Sequence, residues 1–200
     1  MLFGLAVALM IQSGLGLGPW DAFHYGLYRL TGMSVGVAII LVGVVIVAAT
    51  YLINVRPGPG TIANMILIGV FADVMLQLLP PAGSWFTAVV MFAAGVLLTG
   101  FSTGMYIGAG LGKGPRDGLM IGISQRTGFS VGRVRTGLEI AVLGIGWAMG
   151  GVVGIGTIIF ALTIGPATQW SLQLFGMSTT GAAPAHPVRP VSETALPRAA

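Results

Sequence analysis

The chain contains no cysteine and has very few charged residues. Of its 200 residues, 7% are charged and 55% are hydrophobic, whereas an ordinary soluble domain is about 25% charged. The lack of cysteine excludes disulfides, thiolate metal sites and cysteine nucleophiles, and only two histidines are present. We therefore expect neither a metal nor a cofactor. Such an apolar chain is typical of an all-α, polytopic integral membrane protein, with the lipid bilayer as its surroundings.

The sequence also lacks the motifs of several enzyme classes. It has no Walker A motif, no H-E-x-x-H and no readable Ser, His and Asp set, so we predict no catalytic residues and no enzymatic activity. The net charge of +4 is spread along the chain and is not interleaved with aromatics. We interpret the basic residues as topology signals and expect no nucleic-acid partner.

One sequence unit occurs twice, at a constant offset of 96 residues. GLGLGPWDAFHYGLYRLTGMSVG at 14–36 matches GLGKGPRDGLMIGISQRTGFSVG at 110–132, with identity at 12 of 23 positions. Low complexity could align glycines by chance, but it would not easily align Pro19, Asp21, Thr31 and Ser34 as well. The pattern therefore indicates a duplication, with one repeat at 1–80, a second at 81–176 and a Pro-, Ala- and Ser-rich tail at 177–200 that we expect to be disordered.

Each repeat contains three apolar segments and one short amphipathic stretch. The predicted spans are 2–17, 35–55 and 61–79 in the first repeat and 85–108, 134–153 and 157–175 in the second. The first span is short for a bilayer of about 30 Å. Its counterpart begins about eleven residues before Met1 when mapped back, so we expect either a truncated start or a misassigned start codon.

The basic residues indicate how the spans are oriented. With six spans and a cytoplasmic N-terminus, eight lysines and arginines lie inside and only Arg29 lies outside, as expected for a bacterial cytoplasmic-membrane protein with both termini inside. An alternative makes the short stretches 21–30 and 117–126 into spans, but each has about half the residues that a span needs. Six spans predict two inverted three-helix repeats, with the short stretches re-entrant or interfacial, and Trp20 suits an interface.

The break G-x-G-P-x-D is the most specific motif, and it gives most of the candidate residues for a solute or ion pathway. Prolines suit the first position of a helix, and the following aspartates face the positive end of its dipole. Stabilising a helix start is one interpretation of these acids, and binding a cation or proton on a transport path is the other. The residues concerned are Gly16, Gly18, Pro19 and Asp21 in the first repeat and Gly112, Gly114, Pro115 and Asp117 in the second.

Asp73 and its counterpart Gln169 complete the candidate pathway. Asp73 lies inside a predicted span, and an ionisable group in the membrane is a functional candidate by default. Because the counterpart keeps polarity but not charge, Asp73 is either a proton or ion site or a hydrogen-bonding group between helices.

Other polar residues of the spans have simple structural explanations. Arg135 and Glu139 have the spacing of a helical ion pair, although the arginine could instead meet an anion. Thr61 and Thr157 open helices as caps.

The motifs quoted above resemble those of the YczE-type bacterial membrane proteins, which are similar in turn to the wider YitT group. The resemblance covers about residues 2–176 and is carried by the paired G-x-G-P-x-D motifs, each followed by T-G-x-S-V-G. It implies a cytoplasmic-membrane location. It supplies no catalytic residues, because family members mostly have no assigned activity.

Two functions compete at this stage. A small-solute or ion transporter working by alternating access is favoured by the inverted duplication, the paired breaks and Asp73. A non-catalytic accessory protein that scaffolds a membrane complex is the alternative, favoured by the scarcity of polar residues in the spans. The sequence leaves open a homo-oligomer or a membrane partner, and it does not identify the solute.

Overall fold

The described part of this computed structural model, residues 1–53, 57–109 and 114–176, is wholly helical, with eight α-helices and no strand. The predicted tail and Gly112 lie outside these residues. In chain order, the helices are α1 (Leu2–Ser13), α2 (Pro19–Thr31), α3 (Val35–Leu52), α4 (Pro59–Leu78), α5 (Trp85–Gly108), α6 (Pro115–Thr127), α7 (Val131–Ala148) and α8 (Ile155–Leu174).

Four of these helices, α3, α4, α5 and α8, are long and apolar enough to cross a membrane. Their large exposed side chains are mostly aliphatic and aromatic, as expected of surfaces that face lipid. The chain is thus a multi-pass membrane protein. The other two predicted spans are less clear by length and composition, because α1 has 12 residues and α7 carries Arg133, Arg135 and Glu139 within its 18 residues.

The helix boundaries follow from residues that the sequence repeats. α2 and α6 each begin with a proline after a glycine and end at a left-handed glycine, Gly32 (φ 76°) and Gly128 (φ 73°). The side chains of Ser34 and Ser130 cap α3 and α7 by accepting backbone N–H groups. The bounds of α6, α7 and α8 each equal those of α2, α3 and α4 plus 96 residues.

The predicted threonine caps act one turn later than expected. The N-cap residues of α4 and α8 are Gly58 and Gly154, and the threonines lie at the third helical position. From there the Oγ1 atoms of Thr61 and Thr157 accept the backbone N–H of those glycines, each at 3.2 Å. This is the back-reaching half of a capping box.

Glycine contacts set the directions of the first and last helices of each unit. A Cβ on Gly4 of α1 would lie 2.7 Å from the backbone nitrogen of Ala72, and the Gln12 side chain donates to the Leu79 carbonyl at 2.5 Å. The N-terminal part of α1 therefore faces an earlier part of α4 than its C-terminal part does, so α1 and α4 run parallel. Gly100 and Gly104 of α5 contact Ala167 and Ser171 of α8 in the same way, since small residues let membrane helices approach closely.

The centre of the bundle is the contact between α1 and α5. Gly95 of α5 lies against Ala6 and Met10 of α1, both of which are fully buried. The Ala82 N–H, just before α5 begins, donates to the Gln12 carbonyl near the end of α1 at 2.9 Å. These two helices are therefore antiparallel.

Candidate functional site

The short helices α2 and α6 meet at their N-terminal ends. The guanidinium carbon of Arg116, in the first turn of α6, lies 4.9 Å from the centre of the Trp20 ring in the first turn of α2. The same guanidinium has its Nη2 atom 4.0 Å from Asp21 Oδ1. Trp20 and Arg116 occupy equivalent positions of the two sequence units, so the contact lies between matching points of the repeats.

The break before α2 is held by the loop between α7 and α8 and by the start of α8. The Leu17 N–H donates to the Val152 carbonyl at 3.1 Å, and the Leu15 carbonyl accepts the Gly156 N–H at 2.9 Å. Gly16 has a φ of 131°, and a Cβ there would lie 2.8 Å from the Thr157 backbone nitrogen. A side chain at this position would be both strained and obstructed. Gly16 therefore shapes the break.

The start of α6 is tied to α5 by Tyr106. Its hydroxyl donates to the carboxylate of Asp117 and accepts the Gly114 N–H at 3.2 Å. The tyrosine thus holds the start of α6 and satisfies one oxygen of its acid. Asp21 has no such hydroxyl partner among the residues that the structure describes, because the position equivalent to Tyr106 is Met10.

A cavity of about 580 Å³ lies where the two short helices meet, within the range of small-molecule sites. Both sequence units contribute to its wall, often through equivalent positions such as Ile68 and Ile164. Of the predicted pathway residues, those that line the cavity are Gly18, Pro19, Asp21, Gly114, Pro115, Asp117 and Gln169.

The wall of this cavity concentrates the charges of a chain that has few. Among the residues that the structure describes, three carboxylates and two guanidiniums line it, and the buried His24 lies among them. The residues are Asp21, Asp117, Glu139, Arg116 and Arg135. Arg135 Nε lies 2.9 Å from Glu139 Oε1, which confirms the predicted ion pair and places it at the cavity rather than on a remote surface.

Two buried nitrogens at the meeting point have no hydrogen-bond partner among the described residues, namely Trp20 Nε1 and His24 Nδ1. His24 is 2% exposed, and its Nδ1 atom lies 3.9 Å from Asp21 Oδ1. Burial raises the pKa of the Asp21 carboxyl, and the positive charge of Arg116 opposes this shift. Burial, reinforced by the same arginine, holds the pKa of His24 well below its usual value, so the imidazole is neutral at pH 7.

Asp73 of α4 lies apart from this group, and its side chain contacts the start of α3. One of its oxygens accepts the Gly36 N–H at 2.7 Å, and the other accepts the Ser34 hydroxyl. This is the arrangement expected of the hydrogen-bonding alternative, in which the acid joins α4 to the N-terminus of α3. Its counterpart Gln169 differs, because it lines the cavity.

Sequence reasoning missed four residues of the site. Arg116 counted only as a topology signal, Trp20 was expected at an interface, and His24 and Tyr106 received no role. Trp20 is 7% exposed and lies in the cavity wall, because α2 packs its first turn against α6. The lone signal for Arg116 was its place inside the G-x-G-P-x-D motif.

Within the part of the chain that the structure describes, no group of three His, Cys, Asp or Glu residues could hold a metal.

Comparison with known proteins shows what the chain is similar to. It is 41% identical to the uncharacterized membrane protein YczE of Bacillus subtilis (strain 168), over 86% of this chain and 81% of the relative. It is 37% identical to an uncharacterized protein of Haemophilus influenzae over 86% and 79% of the two chains. It is also 26% identical to the uncharacterized protein YyaS of Bacillus subtilis, over 80% and 81%.

No solved structure matches the chain. Residues 1–173 match the model of a family of unknown function, DUF6198. The match spans both sequence units and every residue of the cavity wall. The chain therefore belongs to the DUF6198 family, and its similarity to the YczE-type membrane proteins, predicted from the paired motifs, is confirmed.

Proposed function

We propose that this protein is an alternating-access transporter that moves a small polar solute across the bacterial cytoplasmic membrane without changing it chemically. Its membrane part would consist of six spans, arranged as two inverted three-helix repeats with α2 and α6 as re-entrant helices. Both termini would lie in the cytoplasm.

The directions of the helices support the inverted arrangement. α1 is antiparallel to α5, which holds the equivalent place in the second sequence unit. If two equivalent helices point in opposite directions, the axis that relates the repeats lies in the membrane plane, as in many secondary transporters.

The parallel packing of α1 and α4 supports six spans over eight. If α2 crossed the membrane, two crossings, α2 and α3, would separate α1 from α4, and these two helices would run antiparallel, contrary to the contacts of Gly4 and Gln12. With α2 re-entrant, only α3 reverses the chain between them. The Ser34–Asp73 contact accords with this, because it puts the start of α3 near the end of α4.

The observation that carries the proposal is the cavity at the interface of the two units. Transporters built from inverted repeats bind their solutes near the bilayer midplane, where the N-termini of broken helices point at the solute. Here the first turns of α2 and α6 meet at a cavity that also holds the chain's concentrated charges. Charged side chains inside an otherwise apolar membrane protein lower its stability. A role in binding a solute would explain why they are present.

Two-sided accessibility of the cavity tests the proposal. Thr103 of α5 lines the cavity, and the chain has no cysteine of its own. A Thr103→Cys variant should react with a membrane-impermeant thiol reagent both in right-side-out and in inside-out vesicles, because the cavity opens to each side in turn. Labelling confined to one orientation would contradict alternating access.

A further inference from the structure

We propose that the solute is a small monocarboxylate held by Arg116, and that it enters the cavity together with a proton taken up by Asp21. This inference rests on the proposed transport function and names its substrate class and coupling.

The cavity offers hydrogen-bond donors that nothing in the described chain satisfies. Arg116 has five N–H donors, yet its closest acid oxygen is 4.0 Å away and it has no hydrogen-bond partner among the described residues. Trp20 Nε1, which can only donate, is also unpartnered and buried. The first turns of α2 and α6 add backbone N–H groups that have no partner within a helix.

Two of the three acids in the same wall are better satisfied than these donors. Asp117 accepts the Tyr106 hydroxyl, and Glu139 accepts the Arg135 guanidinium at 2.9 Å. The unpartnered hydrogen-bond donors of Arg116 and Trp20 would therefore suit a ligand with acceptor oxygens. A carboxylate fits the planar fork of a guanidinium with two parallel hydrogen bonds.

The surroundings restrict the ligand to one negative charge and an organic body. Three carboxylates line the cavity and would repel a dianion such as phosphate. Ile39, Met65 and Ile164 give the wall an apolar side, and about 580 Å³ is more than a bare carboxylate needs. A monocarboxylate with an apolar tail matches both parts of the wall.

The charge of the cavity explains why a proton accompanies the carboxylate. With every acid ionised and His24 neutral, the described residues of the wall carry one net negative charge, and a bound monocarboxylate would add a second in a poorly solvated place. If the ligand replaces Asp21 as the counterion of Arg116 and Asp21 takes up a proton, the total charge is unchanged. The raised pKa of Asp21 agrees with this.

The protonation of Asp21 depends on every charged or titratable group that lines the described part of the cavity. These groups come from its own helix and from three others, and they are His24 on α2, Tyr106 on α5, Arg116 and Asp117 on α6, and Arg135 and Glu139 on α7. Tyr106 and Arg135 already serve the other two acids. Asp21 is left with Arg116, the partner that the ligand would take.

Calorimetry on the full chain in lipid nanodiscs tests the inference, with linear monocarboxylates from acetate to octanoate as probes and their primary amides as neutral controls. We expect carboxylates to bind and amides not to. Because one proton is taken up with each ligand, affinity should fall by up to about tenfold for each pH unit above the pKa of Asp21. Repeating the titrations in buffers of different ionisation enthalpy should give about one proton per ligand.

Three variants separate the roles. Arg116→Gln should abolish binding. Arg116→Lys keeps the charge and should disturb folding less. It should weaken binding by about tenfold or more, because lysine cannot donate the two parallel hydrogen bonds of a guanidinium. Asp21→Asn should keep binding but lose its pH dependence. Arg126→Lys is the matched control, because this exposed arginine does not line the described part of the cavity and donates to the Leu52 carbonyl instead, and the variant should bind like the original chain.

Several results would overturn the inference. They are carboxylates that bind no better than amides, an Arg116→Gln variant that binds normally, or an Asp21→Asn variant that keeps the full pH dependence. Thr103→Cys labelling in the same lipid distinguishes the two proposals. Two-sided labelling without carboxylate binding would overturn this inference and leave transport standing, whereas carboxylate binding with one-sided labelling would support the site and contradict transport.

Discussion

Asp21 and Asp73 are both carboxylates in an apolar bundle, but their neighbours differ. Asp73 has two hydrogen-bond donors, the Gly36 N–H and the Ser34 hydroxyl, and it holds the start of α3. Asp21 has a guanidinium at 4.0 Å and an unpartnered imidazole at 3.9 Å. The first set of contacts stabilises a helix junction, whereas the second leaves the acid free to exchange partners.

This difference predicts opposite effects of the same substitution. Asp73→Asn replaces an acceptor of two hydrogen bonds by a group that can accept only one of them, and should lower the free energy of unfolding by about 1–3 kcal/mol. Asp21→Asn removes a buried charge that is weakly paired and should leave stability equal or higher. Thermal unfolding in detergent, compared between these matched variants, measures the effect. Equal destabilisation by both would contradict these separate roles.

At the same scale, the sequence predicted the repeated residues of the site and missed the unrepeated ones. Asp21 and Asp117 could be predicted because both units keep G-x-G-P-x-D. Trp20 and Arg116 could not be paired from sequence, because equivalent positions hold an aromatic in one unit and a cation in the other. Their contact depends on how α2 and α6 approach, which is a property of long-range packing.

At the scale of helices, local residues specify the boundaries well. Both short helices were expected within two residues of where they lie, because proline at a helix start and glycine after its end are strong signals. α1 is shorter than the predicted span, because Gly14 adopts a left-handed conformation (φ 66°) that ends the helix. The threonines act from the third helical position because glycine occupies the cap itself.

Packing between α5 and α8 predicts a glycine that cannot be replaced and one that can. A Cβ on Gly100 would lie 2.7 Å from the Ala167 Cβ atom, whereas a Cβ on Gly137 of α7 meets no atom within 4 Å. Gly100→Ala should therefore destabilise the protein by about 1–3 kcal/mol through overpacking. Gly137→Ala should be neutral or stabilising by about 0.5–1 kcal/mol, because alanine favours the helix.

Unfolding of both glycine variants in the same detergent checks this pair. The Gly137 variant also controls for the general effect of adding a methyl group to a membrane helix. Equal stability of the two proteins would mean that α5 and α8 are not in close contact.

At the scale of the whole molecule, the sequence predicted the units but not their meeting point. The offset of 96 residues implied equivalent helices, and the bounds of α2, α3 and α4 recur in α6, α7 and α8. Sequence left the short helices as either re-entrant or interfacial, because a stretch of 13 residues suits both places. The contacts of α2 and α6 with α7, together with the contact between Trp20 and Arg116, bring the starts of the two short helices to one cavity.

The account depends most on the inverted orientation of the two units, and two single cysteines test it directly. Thr31 and Thr127 are equivalent, exposed and near the ends of α2 and α6. Intact cells carrying either Thr31→Cys or Thr127→Cys would be treated with a membrane-impermeant thiol reagent. We predict that only the Thr31 variant is labelled, and that the Thr127 variant reacts after permeabilisation. The same labelling of both variants in intact cells would contradict the inverted repeat and the transport proposal built on it.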